Sequence, residues 1–376
     1  EDGFTFEYSA TFKQSLNANA TAAGDRELME EYGKSIIMDY SYKYFYNDGY
    51  GKDYRIYSLQ ATVEDDSRVT YLTGCLLSFY QQIRYFEEYG KALQPFNIEK
   101  PLLVFVGNKV TATTSASELS DVQEVLQFID NFVRHKAKTI KRIDDVINCN
   151  TNLTTADGKD VFQYALDALW DIYGGNRPTP EVIYQDVLRY VFNSDSTSDE
   201  PRLRVEAIKQ VQGEIAMRIG DGEYFGVINI GDTAKLIKQC DDNGIVARDE
   251  ELSKESLFRN INKKDSNIKI LIGSRKFTEG WNSWRVSTMG LINFARSEGS
   301  QAIQLFGRGV RLKGYGGNLK RSSVLEGVKH PKNMRYIETL TIFGVRAQYM
   351  EDFKKFMADE GAPTNDEVIN IKLPVV

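Results

Sequence analysis

A mainly parallel α/β sheet flanked by helices is the fold class that this 376-residue sequence predicts. Three features carry the expectation. The runs Leu102 to Val106, Ile268 to Ile272 and Val286 to Ile292 are largely apolar and strand-sized, and each is closed by a turn residue, Gly107, Gly273 or Asn293, as buried strands are. Amphipathic helices accompany them: Leu72, Leu76, Phe79, Ile83 and Phe86 keep helical spacing, as do Leu119, Val122, Leu126, Ile129 and Val133. Finally, Ile268 to Lys313 reads strand, polar loop, strand, loop, helix. Two strands thus deliver polar loops to one sheet edge, where α/β proteins keep their chemistry.

The helix of that stretch starts at Ser300. On a 3.6-residue period Ile303, Phe306 and Val310 fall on one stripe, and Gln301, Gln304, Arg308 and Arg311 on the opposite one. Residues 304 to 311, QLFGRGVR, fit the pattern QxxGRxxR, and with it the stretch resembles motif VI of superfamily 2 helicases. In that family the arginines reach across an interdomain cleft to the triphosphate of ATP, a task that suits an always-charged fork matching phosphate oxygens. Gly307 and Gly309 would leave room for a nucleotide or a neighbouring lobe. On the helix alone, the other reading is an ordinary amphipathic helix with solvated arginines.

Residues 274 to 282, SRKFTEGWN, resemble motif V. Matching Gly280 and Asn282 to the family's glycine and acidic residue places Ser274 where the family commonly has a hydroxyl residue touching a nucleic-acid phosphate. Asn282 departs from the commoner Asp: its amide can hydrogen-bond to a ribose or an arginine but brings no charge. Trp281 and Trp284 read as packing anchors, with base stacking the alternative. The wording of EGWN and GSQAIQLFGRGVRL is most similar to the helicase subunits of type III restriction enzymes and related bacterial defence helicases.

Composition bounds the partners. A net charge of -6 and a pI near 5.3 leave no global basic field for nucleic acid, so any DNA contact must be local. Cys75, Cys149 and Cys240 are far apart and only His135 and His330 stand beside them, so spacing assembles no metal site, and a reducing cytoplasm is the natural compartment. No apolar run reaches membrane-span length, and the start has no signal-peptide pattern. The sequence opens on Glu1 rather than Met, which reads as a piece of a longer chain.

In chain order, Phe4 to Phe12 alternates like a strand and ends in Ser9-Ala10-Thr11, which resembles motif III. Its position implies that nearly all of the first ATPase lobe is missing; a strand end with a hydroxyl turn is the alternative. Gly33-Lys34-Ser35 imitates a phosphate loop, but the required first glycine falls at Leu28. Asp249-Glu250-Glu251 imitates an acidic box without a preceding strand. Ile36 to Tyr46, Asn47-Asp48-Gly49 and Tyr54 to Leu59 predict a hairpin or two neighbouring strands, with Tyr40, Tyr42, Tyr44 and Tyr46 on one face.

The strand Leu102 to Val106 resembles motif IV, and Asn108 and Lys109 behind it are suitable phosphate donors. The basic run Arg134 to Arg142 is either a solvated face or a DNA-backbone contact. Phe162, Leu166, Leu169 and Tyr173 predict a helix, and Thr179-Pro180 starts the next. Residues 111–199 therefore read as a mainly helical insertion. Glu214 to Ile219 and Tyr224 to Ile230 predict a hairpin, and helices are expected around Leu236 with Ile237 and Leu257 with Ile261. Tyr336 to Phe343 predicts a strand, Arg346 to Met357 a helix and Val368 to Leu373 a closing strand.

The resemblance implies a RecA-like helicase C-terminal lobe over residues 31–110 and 200–376, a remnant of the first lobe and linker over 1–30, and the insertion between. It implies a parent ATP-dependent DNA helicase or translocase of type III restriction-enzyme kind. Arg308 and Arg311, positioned by Gln304, would act in catalysis; Gly280, Asn282, Ser9 and Thr11 would couple to ATP; Ser274, Asn108 and Lys109 would hold the DNA backbone. ATP and Mg²⁺ would be bound mainly by the first lobe, and the partners would be DNA, that lobe and a modification methyltransferase subunit. A non-catalytic DNA-binding or protein-interaction module derived from such a lobe is the alternative. No D…(D/E)xK arrangement marks a nuclease within the chain.

Overall fold

The computed structural model describes residues 37–38, 40–58, 65–107, 121–155, 158–195, 201–208, 211–248, 255–273, 281–292, 299–345, 353–354 and 357–358. Its strands are β1 (Asp53–Ser58), β2 (Leu102–Gly107), β3 (Leu203–Ala207), β4 (Glu214–Ile219), β5 (Gly226–Asn229), β6 (Val246–Arg248), β7 (Ile270–Gly273), β8 (Val286–Ile292) and β9 (Thr339–Val345). The helices are α1 (Tyr42–Asn47), α2 (Asp65–Leu93), α3 (Asp121–Arg134), α4 (Lys136–Ile147), α5 (Asp167–Ile172), α6 (Pro180–Tyr190), α7 (Thr233–Asp242) and α8 (Gly299–Gly309).

The strands form one sheet in the order β1-β9-β8-β2-β7-β5-β4-β3-β6. From β1 to β5 every neighbouring pair is parallel. β4 then runs antiparallel to both β5 and β3, and β6 lies parallel to β3. The expected mainly parallel α/β sheet flanked by helices is what forms, and the expected β4–β5 hairpin extends it.

Burial explains why the central strands read as continuous apolar runs. Every residue of β2 and β8 is buried, because a parallel sheet is covered on both faces. Along β2, Leu103 and Phe105 join one apolar cluster while Leu102, Val104 and Val106 join the other, the two-residue alternation of a strand. The first cluster holds residues of α2, α3, α4, α6 and α7; the second holds α8, Phe353 and Met357, with Tyr42 and Tyr46 of α1 packed against it. The residues read as an insertion supply α3 to α6, and Leu126, Ile143 and Val187 share one core with the strand residue Leu103. Thr179 caps α6 by accepting from the Val182 amide at 3.3 Å, with Pro180 in the first turn.

The structure corrects three local expectations. Tyr42 to Asn47 is a helix, and β1 pairs in parallel with β9 instead of closing a hairpin. Tyrosines at every second position satisfy a strand period, yet two of them also stand four apart on a helix. Tyr42 packs 4.9 Å from the Phe306 ring and Tyr46 lies 6.2 Å from Tyr54, whereas Tyr40 and Tyr44 are exposed. Residues 257–262 are turns, where the Ser256 hydroxyl accepts from the Arg259 amide at 2.9 Å and competes with a regular helix. Residues 161–166 are also turns, so the helix predicted from Phe162 begins only at Asp167. Phe4 to Phe12, Gly33-Lys34-Ser35, Asp249 to Glu251, Val368 to Leu373 and most of Arg346 to Met357 lie outside the described residues.

Candidate functional site

β7 and β8 both run parallel to β2, so the three strands end at one edge of the sheet. Asn108, Lys109, Ser274 and Gly280 lie outside the described residues, as do Ser9 and Thr11. Arg308, Arg311 and Asn282 are described, and they gather at the opposite edge, where the strands begin. Asn282 stands four residues before β8, whose first residue pairs with the first residue of β2. α8 ends beside the start of β1: the Lys52 amide, one residue before that strand, donates to the Val310 carbonyl at 2.6 Å. A crossover helix travels back along the strands it connects, so side chains near its end arrive at the amino edge. Arg308, Arg311 and Asn282 thus lie at the amino edge.

Two guanidiniums converge there on one loop. Arg308 donates to the Trp281 carbonyl and Arg311 to the side-chain oxygen of Asn282. The loop is held from behind: Asn262 donates to the Asn282 carbonyl at 2.9 Å, and the buried Trp281 ring stacks on Phe258 at 6.4 Å. Burial lowers the pKa of Arg311, and the neighbouring Arg308 charge lowers it further. Both arginines remain partly exposed and Gln304, one turn before Arg308, is exposed. Each guanidinium carries five N–H donors in a fixed fork.

The two glycines of the motif divide the work differently than expected. A Cβ at Gly307 would meet nothing within 4 Å, so that position is open. A Cβ at Gly309 would come within 2.7 Å of Leu340 and 3.0 Å of Met289. Gly309 thus lets α8 approach the sheet, and the room it leaves is filled by β8 and β9.

Sequence reasoning missed two buried cations at this edge. Arg285, 3% exposed, donates to the carbonyls of Lys100 at 2.8 Å, Ile268 at 2.6 Å and Ile261, and burial lowers its pKa to about 10. Lys52, 4% exposed, donates to the Val286 carbonyl; burial lowers its pKa to about 8 against the opposing pull of Glu99 and Glu338. Arg285 stands immediately before the fully buried β8 and Lys52 immediately before the partly buried β1. That placement is the only sequence signal they carry, and many solvated strand-end charges share it.

As a donor set, two guanidiniums beside amide groups suit phosphate oxygens and offer Mg²⁺ no anionic ligand. Among the described residues no group of three His, Cys, Asp or Glu side chains converges to hold a metal, and no helix is long and apolar enough to cross a membrane. No protein-family model, no curated protein and no solved structure matches the chain.

Proposed function

We propose that the chain is the second, RecA-like lobe of an ATP-dependent DNA helicase or translocase of the type III restriction-enzyme kind, supplying Arg308 and Arg311 to ATP hydrolysis. The observation that carries the reading is the convergence of both QxxGRxxR arginines on residues 281–282 of the SRKFTEGWN stretch. Two separately recognised motifs become one cluster at one sheet edge. Each fork is held by a loop contact and each arginine stays partly exposed, so a positioned charge is presented to phosphate oxygens.

In this reading Arg308 and Arg311 neutralise charge that develops on the transferring phosphoryl group, and Gln304 orients Arg308 from one turn away on α8. Asn282 orients Arg311 and links the arginine pair to the segment that leads back to Ser274 and the DNA backbone. The nucleotide, with Mg²⁺, brings its own charge to a facing first lobe, which carries the phosphate loop. Asn108 and Lys109, which follow β2 in sequence, contact the DNA backbone.

Phosphate release tests this. The chain alone is expected to release none above background, and a protein carrying both lobes is expected to show DNA-stimulated turnover. In the two-lobed protein Arg308→Ala or Arg311→Ala should cut turnover on the order of 10³-fold or more, the scale of such arginines in related reactions. Full turnover in both variants would sink the assignment. DNA binding without any nucleotide hydrolysis by the two-lobed protein would favour a non-catalytic module instead.

A further inference from the structure

A strongly basic segment of this acidic chain is used only in part by the arginine pair. From Arg308 to Arg335 there are eight Lys or Arg side chains and one acid, Glu326, in a protein of net charge -6. The segment crosses the amino ends of four adjacent parallel strands, β1, β9, β8 and β2. At β1, the Lys320 ammonium lies 4.9 Å from the centre of the Tyr50 ring, and the two residues form a β-bridge. At β9, Arg335 lies 4.9 Å over Tyr336, four residues before that strand begins. At β8, Lys313 lies 5.7 Å over Trp284. At β2, Tyr315 packs 5.3 Å from Phe96, and Asn97 donates to the Gly314 carbonyl at 3.0 Å. Val328 packs on the apolar cluster of Phe96, Met334 and Ile337, which keeps Lys329 at the same edge.

Not all of these cations are available. Arg321 is buried on the carbonyls of Tyr46, Tyr50 and Gly51, Lys313 pairs with Glu99, and Lys332 pairs with Asp171 at 3.2 Å. Lys320, Lys329 and Arg335 have no carboxylate partner among the described residues. Tyr315 is 43% exposed on a turn where Gly314, Gly316 and Gly317 all have positive φ, a backbone that glycine adopts without strain.

The geometry points to this band as a binding surface for single-stranded nucleic acid, with phosphates on Lys320, Lys329 and Arg335 and a base stacked on Tyr315. Single strands offer both things the band can use. Their phosphates meet unpaired cations, and their unpaired bases present a flat face to an exposed ring already supported from behind by Phe96. A duplex hides those faces within its stack and engages the cations alone. The surface uses none of Asn108, Lys109 and Ser274 and needs no nucleotide, so it stands or falls separately from the ATPase reading.

The test is fluorescence anisotropy of a labelled oligodeoxythymidine titrated with the 376-residue chain, without ATP, at several salt concentrations. The triple variant Lys320→Glu/Lys329→Glu/Arg335→Glu should bind at least tenfold more weakly at low salt. Its log–log salt slope should be shallower by about 2, since each cation on a single strand contributes roughly 0.7. Tyr315→Ala should weaken binding on the order of tenfold with the slope unchanged, and Tyr315→Trp should restore it. Thermal melting controls for folding, and a Gln triple variant replaces the Glu one if the latter melts early. Unchanged affinity in the folded triple variant overturns the proposal. So does duplex DNA or poly-glutamate binding as tightly as the single strand, with no effect of Tyr315→Ala, since that would mark a general polyanion surface.

Discussion

Arg285 and Arg308 donate to backbone carbonyls around the same few residues, yet they stand in different physical situations. Arg285 is enclosed and its fork is divided among three carbonyls contributed by Lys100, Ile261 and Ile268. Arg308 is partly exposed and the Trp281 carbonyl holds one of its fork nitrogens. Burying a charge is costly unless hydrogen bonds replace its water, so Arg285 is committed to joining the turn before β7, the entry to β2 and the entry to β8. Arg308 stays partly in contact with solvent. An enclosed charge held by several carbonyls builds the edge; a partly exposed charge is the one that a ligand can reach.

The largest effect that separates the two is on stability. Arg285→Met leaves two buried carbonyls and one part-buried carbonyl without this donor, each buried one worth about 1–3 kcal/mol, and should cost about 3–5 kcal/mol in urea unfolding. Arg308→Ala removes a partly exposed side chain and should cost under about 1 kcal/mol. Equal losses in the two variants would erase the distinction and return Arg308 to a purely structural role.

A second, smaller effect comes from Lys52, the other enclosed cation. Its folded-state pKa, about 8, lies below the ordinary lysine value of 10.5. Between those two values the unfolded chain binds more protons than the folded one, so stability rises with pH across that window. Below about pH 8 the cost of burying the charged ammonium is present in full. Lys52→Met removes this one group, while Lys269, whose pKa burial also lowers to about 8, titrates alike in both proteins and cancels. The wild type should therefore gain on the variant by up to about 3 kcal/mol between pH 7.5 and 10.5. A pH-independent difference between them would mean that Lys52 reaches water.

How much of this was legible follows from the length of each signal. β2, β7 and β8 were readable because burial on both faces writes a continuous apolar run, and α8 because Phe306 and Val310 recur on one stripe facing the sheet. The strand order was not readable, since nothing in β1 names β9, nearly three hundred residues later, as its partner. The tyrosines of residues 40–46 were misread because a short alternating run fits both periods, and the deciding contact, Phe306, comes from a distant helix. The pairing of Arg311 with Asn282 was foreshadowed by two motifs, whereas Arg285 and Lys52 are single residues whose acceptors are backbone carbonyls and leave no mark in sequence.

The finest separation between building and receiving lies within α8 itself, at Gly307 and Gly309. Both are helical, both were expected to leave room for a partner, and they are two residues apart, hence on different faces. An added methyl at Gly307 enters open space, and alanine in an exposed helix interior is favoured over glycine by roughly 0.5–1 kcal/mol. Gly307→Ala should therefore raise stability slightly. At Gly309 the same methyl meets Leu340 and Met289; these are flexible side chain ends, so the sheet gives way at a cost of about 1–3 kcal/mol that outweighs the helix gain. Chemical denaturation of the two variants reads the sign directly. In a two-lobed protein the order should invert for turnover: if a nucleotide or facing lobe approaches α8 over its open side, Gly307→Ala lowers phosphate release while melting higher, and Gly309→Ala leaves release nearly unchanged at temperatures where it stays folded. A Gly307→Ala variant with full turnover would show that nothing closes on that face.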